Sequence, residues 1–315
     1  MNAVRILVYG AGVLGCNLAS DFQRDGKDVI LLARGAWADQ ISENGLTIEN
    51  AFLPGKKTCR IPVIRELKAD DRYDVIFACM RCTQLDSIMD ALNGNVSENI
   101  VLVGNNPEPE KYVRVLGHRN VMFAFYMAAG HREKDRVVSF SLGKITIGQL
   151  KGYGSNQELI GRIFAGSKLN VTYQPNMGDY LLCHAAFVMP IALACYYCEG
   201  DLKKISRDQT YLNRIIDANI EGYRAIEKAG HEILPESDRN YTGKAYRRLC
   251  YAVYKVMCST KIGQICASDH ALNAVEEMRA MNAGLKRFFE ETHADTPVYL
   301  CVEQDAERHL RMMNL

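Results

Sequence analysis

No block of like charge interrupts this chain of 315 residues: 38 Lys and Arg face 37 Asp and Glu, a net charge of +1. That excludes the basic footprint of a nucleic-acid or anionic-membrane binder. No uninterrupted apolar run reaches the ~18–20 residues that a membrane-spanning helix needs. The first residues enter an apolar strand without the basic region and long apolar core of a secretory signal, so a cytoplasmic protein is expected. The 11 cysteines are odd in number and scattered, which argues against a disulfide framework. Cys79/Cys82 and Cys195/Cys198 have Cys-x-x-Cys spacing. Each could be a redox pair, or together they could hold zinc. Yet Cys79 ends an apolar strand and Cys195/Cys198 fall in an apolar helix, where cysteine serves as a small hydrophobe, and no metal is expected. There is no internal repeat or low-complexity segment.

What is present is concentrated in Val4 to Arg34. Val4 to Tyr9 is aliphatic and β-branched and stops at glycine, as a buried strand does. Gly10-Ala11-Gly12-Val13-Leu14-Gly15 follows, then an amphipathic run to Asp25, then a second apolar strand from Asp28 to Ala33. In a dinucleotide site the first glycine makes the turn and the second admits the pyrophosphate. The third lets helix and strand pack, and the helix N-terminus faces the anion. A glycine pattern alone is weak; here strand, turn, helix and returning strand make the βαβ context. The second strand ends in Ala33-Arg34-Gly35, with no carboxylate before Asp39. An NAD site usually has an acid there, whereas an arginine fork pairs with a 2′-phosphate, which favours NADP(H). The bland alternative is a solvated arginine at a strand end.

Further along, Gly45 to Ile48 and Thr58 to Ile64 read as short strands about Pro54-Gly55. Strands are expected at Asp74 to Met80, Asn99 to Val103, Val121 to Tyr126 and Leu169 to Tyr173, with helices at Thr83 to Leu92 and Gln157 to Ala165. Val137 to Phe140 and Lys144 to Ile147 resemble an antiparallel pair turning at Leu142-Gly143. Alternating strands and helices specify a doubly wound, mostly parallel sheet, which gathers the glycine turn, Arg81 to Gln84 and Asn105 to Pro107 around one crevice. From Gly178 the spacing is helical nearly throughout: Tyr180 to Cys198, Gln209 to Ala229, Tyr246 to Met257 and His270 to Glu291. The fold class expected is α/β: a Rossmann-type N-terminal domain over residues 1–174 and an all-helical domain over 175–315.

In this order the residues resemble the ketopantoate reductase (2-dehydropantoate 2-reductase) family over essentially the whole chain. The resemblance rests on the glycine motif, on Arg34-Gly35-Ala36 with Asn44-Gly45-Leu46, and on Arg81-Cys82-Thr83-Gln84, similar to the family's Lys-x-x-Gln. It continues through Lys144 to Gly148, Glu221, Ala229-Gly230, Pro235, and His270-Ala271 with Glu276-Glu277-Met278. It implies NADPH and hydride transfer to a 2-keto acid. The cofactor would be bound by Gly10, Ala11, Gly12, Val13, Leu14, Gly15, Arg34, Arg81, Gln84 and Asn105. In the family a lysine on the first helix of the second domain protonates the alkoxide, ahead of an Asn-Pro pair. Aligned on Pro190, that lysine falls on Leu181 or Leu182, the asparagines fall near Ala185 and Met189, and no lysine occurs from Val171 to Tyr197. The family's serine matches Ser259, a substrate-binding candidate. Its supporting glutamate falls near Ala271, with Asp269 or Glu276 as substitutes only after a register change.

His184 is then the candidate replacement acid, since a histidine near neutral pKa can protonate an alkoxide. A helix histidine hydrogen-bonded within the protein is the bland reading. Asn105 matches the family asparagine and could orient the reacting end, or could make an Asx turn before Pro107. The expected function is an NADPH-dependent oxidoreductase acting on a small carbonyl compound, not necessarily ketopantoate. The alternative is a non-catalytic NADPH-binding sensor or partner protein. Apolar helix faces in the second domain could pair two chains as a homodimer; no nucleic-acid or membrane partner is expected.

Overall fold

The computed structural model describes residues 4–313. The chain divides into two compact units, Met1–Gly178 and Asp179–Leu315. Among the described residues the first unit has one sheet. Its strands are β1 (Arg5–Tyr9), β2 (Asp28–Leu32), β3 (Leu46–Asn50), β4 (Lys56–Cys59), β5 (Val63–Ile64), β6 (Val75–Ala78), β7 (Asn99–Val103), β8 (Asn120–Arg132), β9 (Val137–Gly148) and β10 (Asn170–Tyr173). The order is β4-β3-β9-β8-β7-β6-β1-β2-β5, with β10 beside β9. From β5 through β8 every pairing is parallel. Aliphatic runs without polar alternation must be buried on both faces, and Ile6 to Tyr9, Val29 to Leu32 and Val75 to Ala78 are all buried.

Helices α1 (Val13–Arg24), α2 (Gly35–Asn44), α3 (Met89–Gly94), α4 (Pro109–Val115) and α5 (Gln157–Ile163) belong to the same unit. α1 sets Phe22 against Phe77 and Phe164, with ring centroids 5.2 and 5.6 Å away. Between β6 and α3 the expected helix begins as a 3₁₀ segment, Cys82–Ile88.

The antiparallel pair expected about Leu142-Gly143 does not form. β9 is one strand, antiparallel to β8 along both halves, with a register shift at Tyr126/Ala128. Because both halves pair with the same neighbour, the surplus residues bulge instead of turning back. Gly143 takes φ +60°, and its amide donates to Ser141 Oγ at 3.1 Å. The Leu-Gly dipeptide thus marks a bulge.

The second unit is helical: α6 (Met177–Tyr197, whose first two residues belong to the first unit), α7 (Leu202–Arg207), α8 (Gln209–Lys228), α9 (Lys244–Ser259), α10 (Lys261–Gly263), α11 (Asp269–Asn273), α12 (Val275–Glu291) and α13 (Pro297–Met313). A π-helical turn, Gln264–Ser268, links α10 to α11. The single helix expected from His270 to Glu291 breaks at Ala274, where φ is −133° and ψ 38°. Its apolar spacing runs on across the break through Ala271, Ala274, Met278, Met281, Leu285 and Phe289, all buried, so periodicity alone could not expose it.

α6 is the core helix of this unit. It is long and apolar enough to cross a membrane by length and composition, but 67% of its most apolar window is buried inside the protein. The count of uninterrupted apolar residues passes over it because His184 divides the run. Pro190 sits inside the helix and has no N–H for the carbonyl of Ala186 four residues back. The buried Asn219 of α8 supplies the missing donor, its Nδ2 reaching Ala186 O at 3.0 Å and Phe187 O at 2.8 Å. Tyr254 of α9 donates to Asn219 Oδ1 at 2.7 Å. One polar network therefore ties α6, α8 and α9 at the proline.

Candidate active site

In a doubly wound sheet, ligands bind where neighbouring strands end at the point of reversed connection, here at the carboxyl ends of β1, β6 and β7. After β1 the chain turns at Gly10, with φ +110°. A Cβ there would lie 2.6 Å from Cys79 O and 2.8 Å from Met80 Sδ, and one on Gly15 would lie 1.9 Å from Gly10 O. These two glycines are required by packing against the end of β6. Gly12 is different: a Cβ would meet nothing within 4 Å, so its missing side chain keeps space clear. It is also the N-cap of α1, with no side-chain cap and no acid in the first turn. Uncapped first-turn amides at the positive end of a helix suit an anion.

The other strand ends converge on the same turn. At Gly104, φ +121°, a Cβ would be 3.7 Å from Met80 O and 3.8 Å from Leu14 Cδ1. Asn105 follows, half-buried. The Asx turn weighed for Asn105 is made by Asn106, whose Oδ1 accepts the Glu108 amide at 3.0 Å. Asn106 is buried, and its Nδ2 has no hydrogen-bond partner among the described residues. Arg81 is the exposed N-cap of the 3₁₀ segment, and its carbonyl accepts the amide of exposed Gln84 at 2.8 Å.

Arg34 is the N-cap residue of α2. Its Nη2 donates to Tyr9 OH at 2.9 Å, and the guanidinium carbon lies 5.9 Å from the Tyr9 ring centroid. Trp37, one turn on, donates from Nε1 to Ala11 O at 2.9 Å, fastening α2 to the glycine turn. Arg132 lies 5.4 Å over the Trp37 ring. Sequence reasoning missed Tyr9, Trp37 and Arg132; its one available signal was an aromatic residue just beyond Arg34. Asp39, the first carboxylate after β2, is ion-paired with Arg65, which follows β5. A dinucleotide fits these residues: the cradle is open at Gly12, an uncapped helix start adjoins it, and a buried amide nitrogen has no protein partner.

In the second unit, Leu181 is buried and Leu182 half-buried. His184, on the same helix, is partly buried. Burial, with a smaller contribution from the charge of His270, pushes its pKa down to about 4. It is therefore neutral at pH 7 and is no reservoir of acid protons. His270 Nε2 lies 4.0 Å from Glu277 Oε2, and Glu277 is buried. The buried carboxylate of α12's first turn is thus Glu277; Glu276 is an exposed partner of Arg279. Ser259, at the exposed end of α9, donates its hydroxyl to Lys255 O at 2.5 Å and Val256 O at 3.2 Å.

Asp179 was not singled out by sequence as a partner. It is buried, holds His231 Nδ1 at 2.7 Å and accepts the Glu232 amide at 2.8 Å. All eleven cysteines are free. Cys195 and Cys198 are buried with their thiols pushed up in pKa by desolvation, and Cys198 Sγ donates to Cys195 O at 3.5 Å.

Comparison with known proteins places this arrangement. Residues 6–152 match the family described as ketopantoate reductase PanE/ApbA. Comparison with curated protein sequences finds no match. Among solved structures, a PanE/ApbA family ketopantoate reductase from Ralstonia eutropha JMP134 is 17% identical, with 99% of this chain and 100% of that one covered and a TM-score of 0.75. A dimeric ketopantoate reductase from Staphylococcus aureus is 14% identical, with 98% and 99% covered and a TM-score of 0.74. D-mandelate dehydrogenase, solved with NADH and anilino(oxo)acetate, is 14% identical, with 99% and 100% covered and a TM-score of 0.75. Residues 6–152 thus match the ketopantoate reductase (PanE/ApbA) family, and the chain shares its fold along its length with solved ketopantoate reductases.

Proposed function

We propose that the protein is an NAD(P)H-dependent oxidoreductase that reduces the keto carbon of a small 2-oxo acid to a hydroxyl, with NADPH the preferred donor. The observation that carries this reading is the glycine turn, closed by packing at Gly10 and Gly15 and open at Gly12, inside the stretch that matches this family. The solved relatives include one bound to NADH and an oxo-acetate. Preference for NADPH rests on Arg34, braced by Tyr9 where an NAD site would carry an acid. When bound, the nicotinamide supplies the hydride.

The reaction adds a hydride to carbon and a proton to oxygen, so this chain must furnish a group at the developing alkoxide. His184 takes the place of the family lysine as a neutral N–H donor, which polarises a carbonyl without carrying a charge, and the proton that completes the hydroxyl is drawn from solvent water. His270 lies near enough for its charge to act on His184, and its Nε2 is itself 4.0 Å from the Glu277 carboxylate. Asn105 orients the reacting end from the loop after β7, while Arg81 and Gln84 contact the cofactor. Ser259 contributes a hydroxyl to the substrate carboxylate. Two copies pair through the helical units, and the protein works in the cytoplasm.

The test follows NADPH oxidation with a panel of 2-oxo acids while cofactor binding is read in the same sample. Trp37, the one tryptophan, is bonded to the glycine turn and serves as the fluorescent reporter. Quenching with turnover on at least one 2-oxo acid is expected, with turnover lowered at least tenfold in His184→Ala and quenching unchanged. Binding without turnover across the panel would leave a cofactor-binding protein and remove the enzymatic reading. Absence of quenching would remove both.

A further inference from the structure

The helical unit carries a second concentration of positive charge that the reduction does not use. A groove of about 320 Å³ is lined by Gln209, Asn213, Lys244, Arg247, Arg248 and Tyr251. Three of these six are cations and none is an acid. Arg247 is fixed in place: its Nη2 donates to Asn213 Oδ1 at 3.0 Å, and both guanidinium nitrogens reach the Asp217 carboxylate. Lys244 and Arg248 are exposed, and no ion pair among the described residues involves them. Ser259 stands at the far end of the same helix, about 22 Å from Lys244 at ~1.5 Å per residue.

Asp217 balances Arg247, and the placement of the two charges left, Lys244 and Arg248, is costly in the absence of an anion. All three cations fall in the first five residues of α9, the positive end of the helix dipole, where positive side chains are disfavoured. No acid occupies that first turn, and Gly243 offers no side-chain cap. Like charges set close together on one wall also repel each other. Both penalties reverse sign when a multiply charged anion enters the groove. Lys244 and Arg248 then supply mobile cationic donors, Arg247 adds the N–H groups that Asp217 and Asn213 leave over, and the Gln209 and Asn213 amides supply neutral ones. The half-buried Tyr251 ring offers an apolar wall beside them.

We propose that this groove binds a phosphoryl group, as free phosphate or as a phosphorylated small molecule whose organic part lies against Tyr251. The proposal is independent of the oxidoreductase reading. It is tested by calorimetric titration of the whole protein at low ionic strength with inorganic phosphate and, separately, phenyl phosphate, against chloride at matched ionic strength. Saturable binding is expected, weakened at least tenfold in Lys244→Gln/Arg248→Gln and unchanged in Arg34→Ala. Both substituted side chains are exposed, and removing their unfavourable charges should leave a melting temperature no lower than that of the wild type. Tighter binding of phenyl phosphate, lost in Tyr251→Ala, identifies a phosphorylated molecule as the ligand; equal binding of the two identifies the free ion. No saturable binding of either probe overturns the proposal. So does binding that survives the double substitution or disappears in Arg34→Ala.

Discussion

Two alanine substitutions in the glycine turn should behave oppositely, because the two glycines are there for different reasons. At Gly15 an added Cβ would lie 1.9 Å from Gly10 O and 3.2 Å from Cys79 Cβ. The first of these is backbone, so no rotamer change relieves the clash, and the turn or α1 must move. Overpacking of this kind costs about 1–3 kcal/mol, with the upper part of the range expected where backbone must shift. For a unit of this size that lowers the melting temperature by roughly 5–10 °C. Gly15→Ala should therefore lose both stability and NADPH binding.

At Gly12 a Cβ meets nothing within 4 Å, and the φ of −80° is open to any residue. Gly12→Ala should melt within about 1 °C of wild type, yet bind NADPH at least tenfold more weakly, ~1.4 kcal/mol, because the methyl fills the space kept for the cofactor. Trp37 reads both quantities: its fluorescence follows unfolding of the first unit, and its quenching follows binding. Wild-type affinity in Gly12→Ala, or a wild-type melting temperature in Gly15→Ala, would refute the division of roles.

Arg34→Ala should weaken NADPH at least tenfold and NADH less than twofold, as titrations of the two cofactors would report; equal losses would take the 2′-phosphate role away from Arg34. Tyr9→Phe, which removes only the brace, should fall between. His184 bears on acid stability. Its folded pKa of about 4 lies below its ordinary value, so the unfolded chain binds the extra proton first. Stability linked to His184 is then full above about pH 6.5 and lost as pH falls toward 4, by at most ~3 kcal/mol. Denaturation curves of wild type and His184→Gln should diverge across that window; parallel curves would show that the ring is not desolvated. Asn219→Ala should destabilise the helical unit by about 1–3 kcal/mol, because it strands the buried Ala186 carbonyl freed by Pro190 and leaves Tyr254 only its longer bond to Phe187 O. A loss below about 0.5 kcal/mol in urea unfolding would show that the proline gap is satisfied otherwise.

What the sequence alone determined is what local chemistry enforces. The aliphatic run before Gly10, the glycine spacing and the returning strand at Asp28 left one arrangement, because a buried strand, a tight turn and a helix start each demand particular residue types at short range. The arginine closing β2 was legible for the same reason, and so was the absence of lysine from the stretch that became α6. Tertiary structure decided whatever depended on a partner far along the chain. Leu142-Gly143 became a bulge because β8 pairs with both of its flanks. The break at Ala274 lay hidden in apolar spacing that runs straight through it.

The grip of Tyr9 on Arg34 and of Trp37 on Ala11 joins residues about 25 positions apart. Asn219 is the answer to a carbonyl freed 33 residues away. His184 was legible as a titratable group, but its charge state was not. A sequence carries no dielectric, and only the packing of α6 among its neighbours makes that imidazole neutral where a free histidine would be poised to titrate.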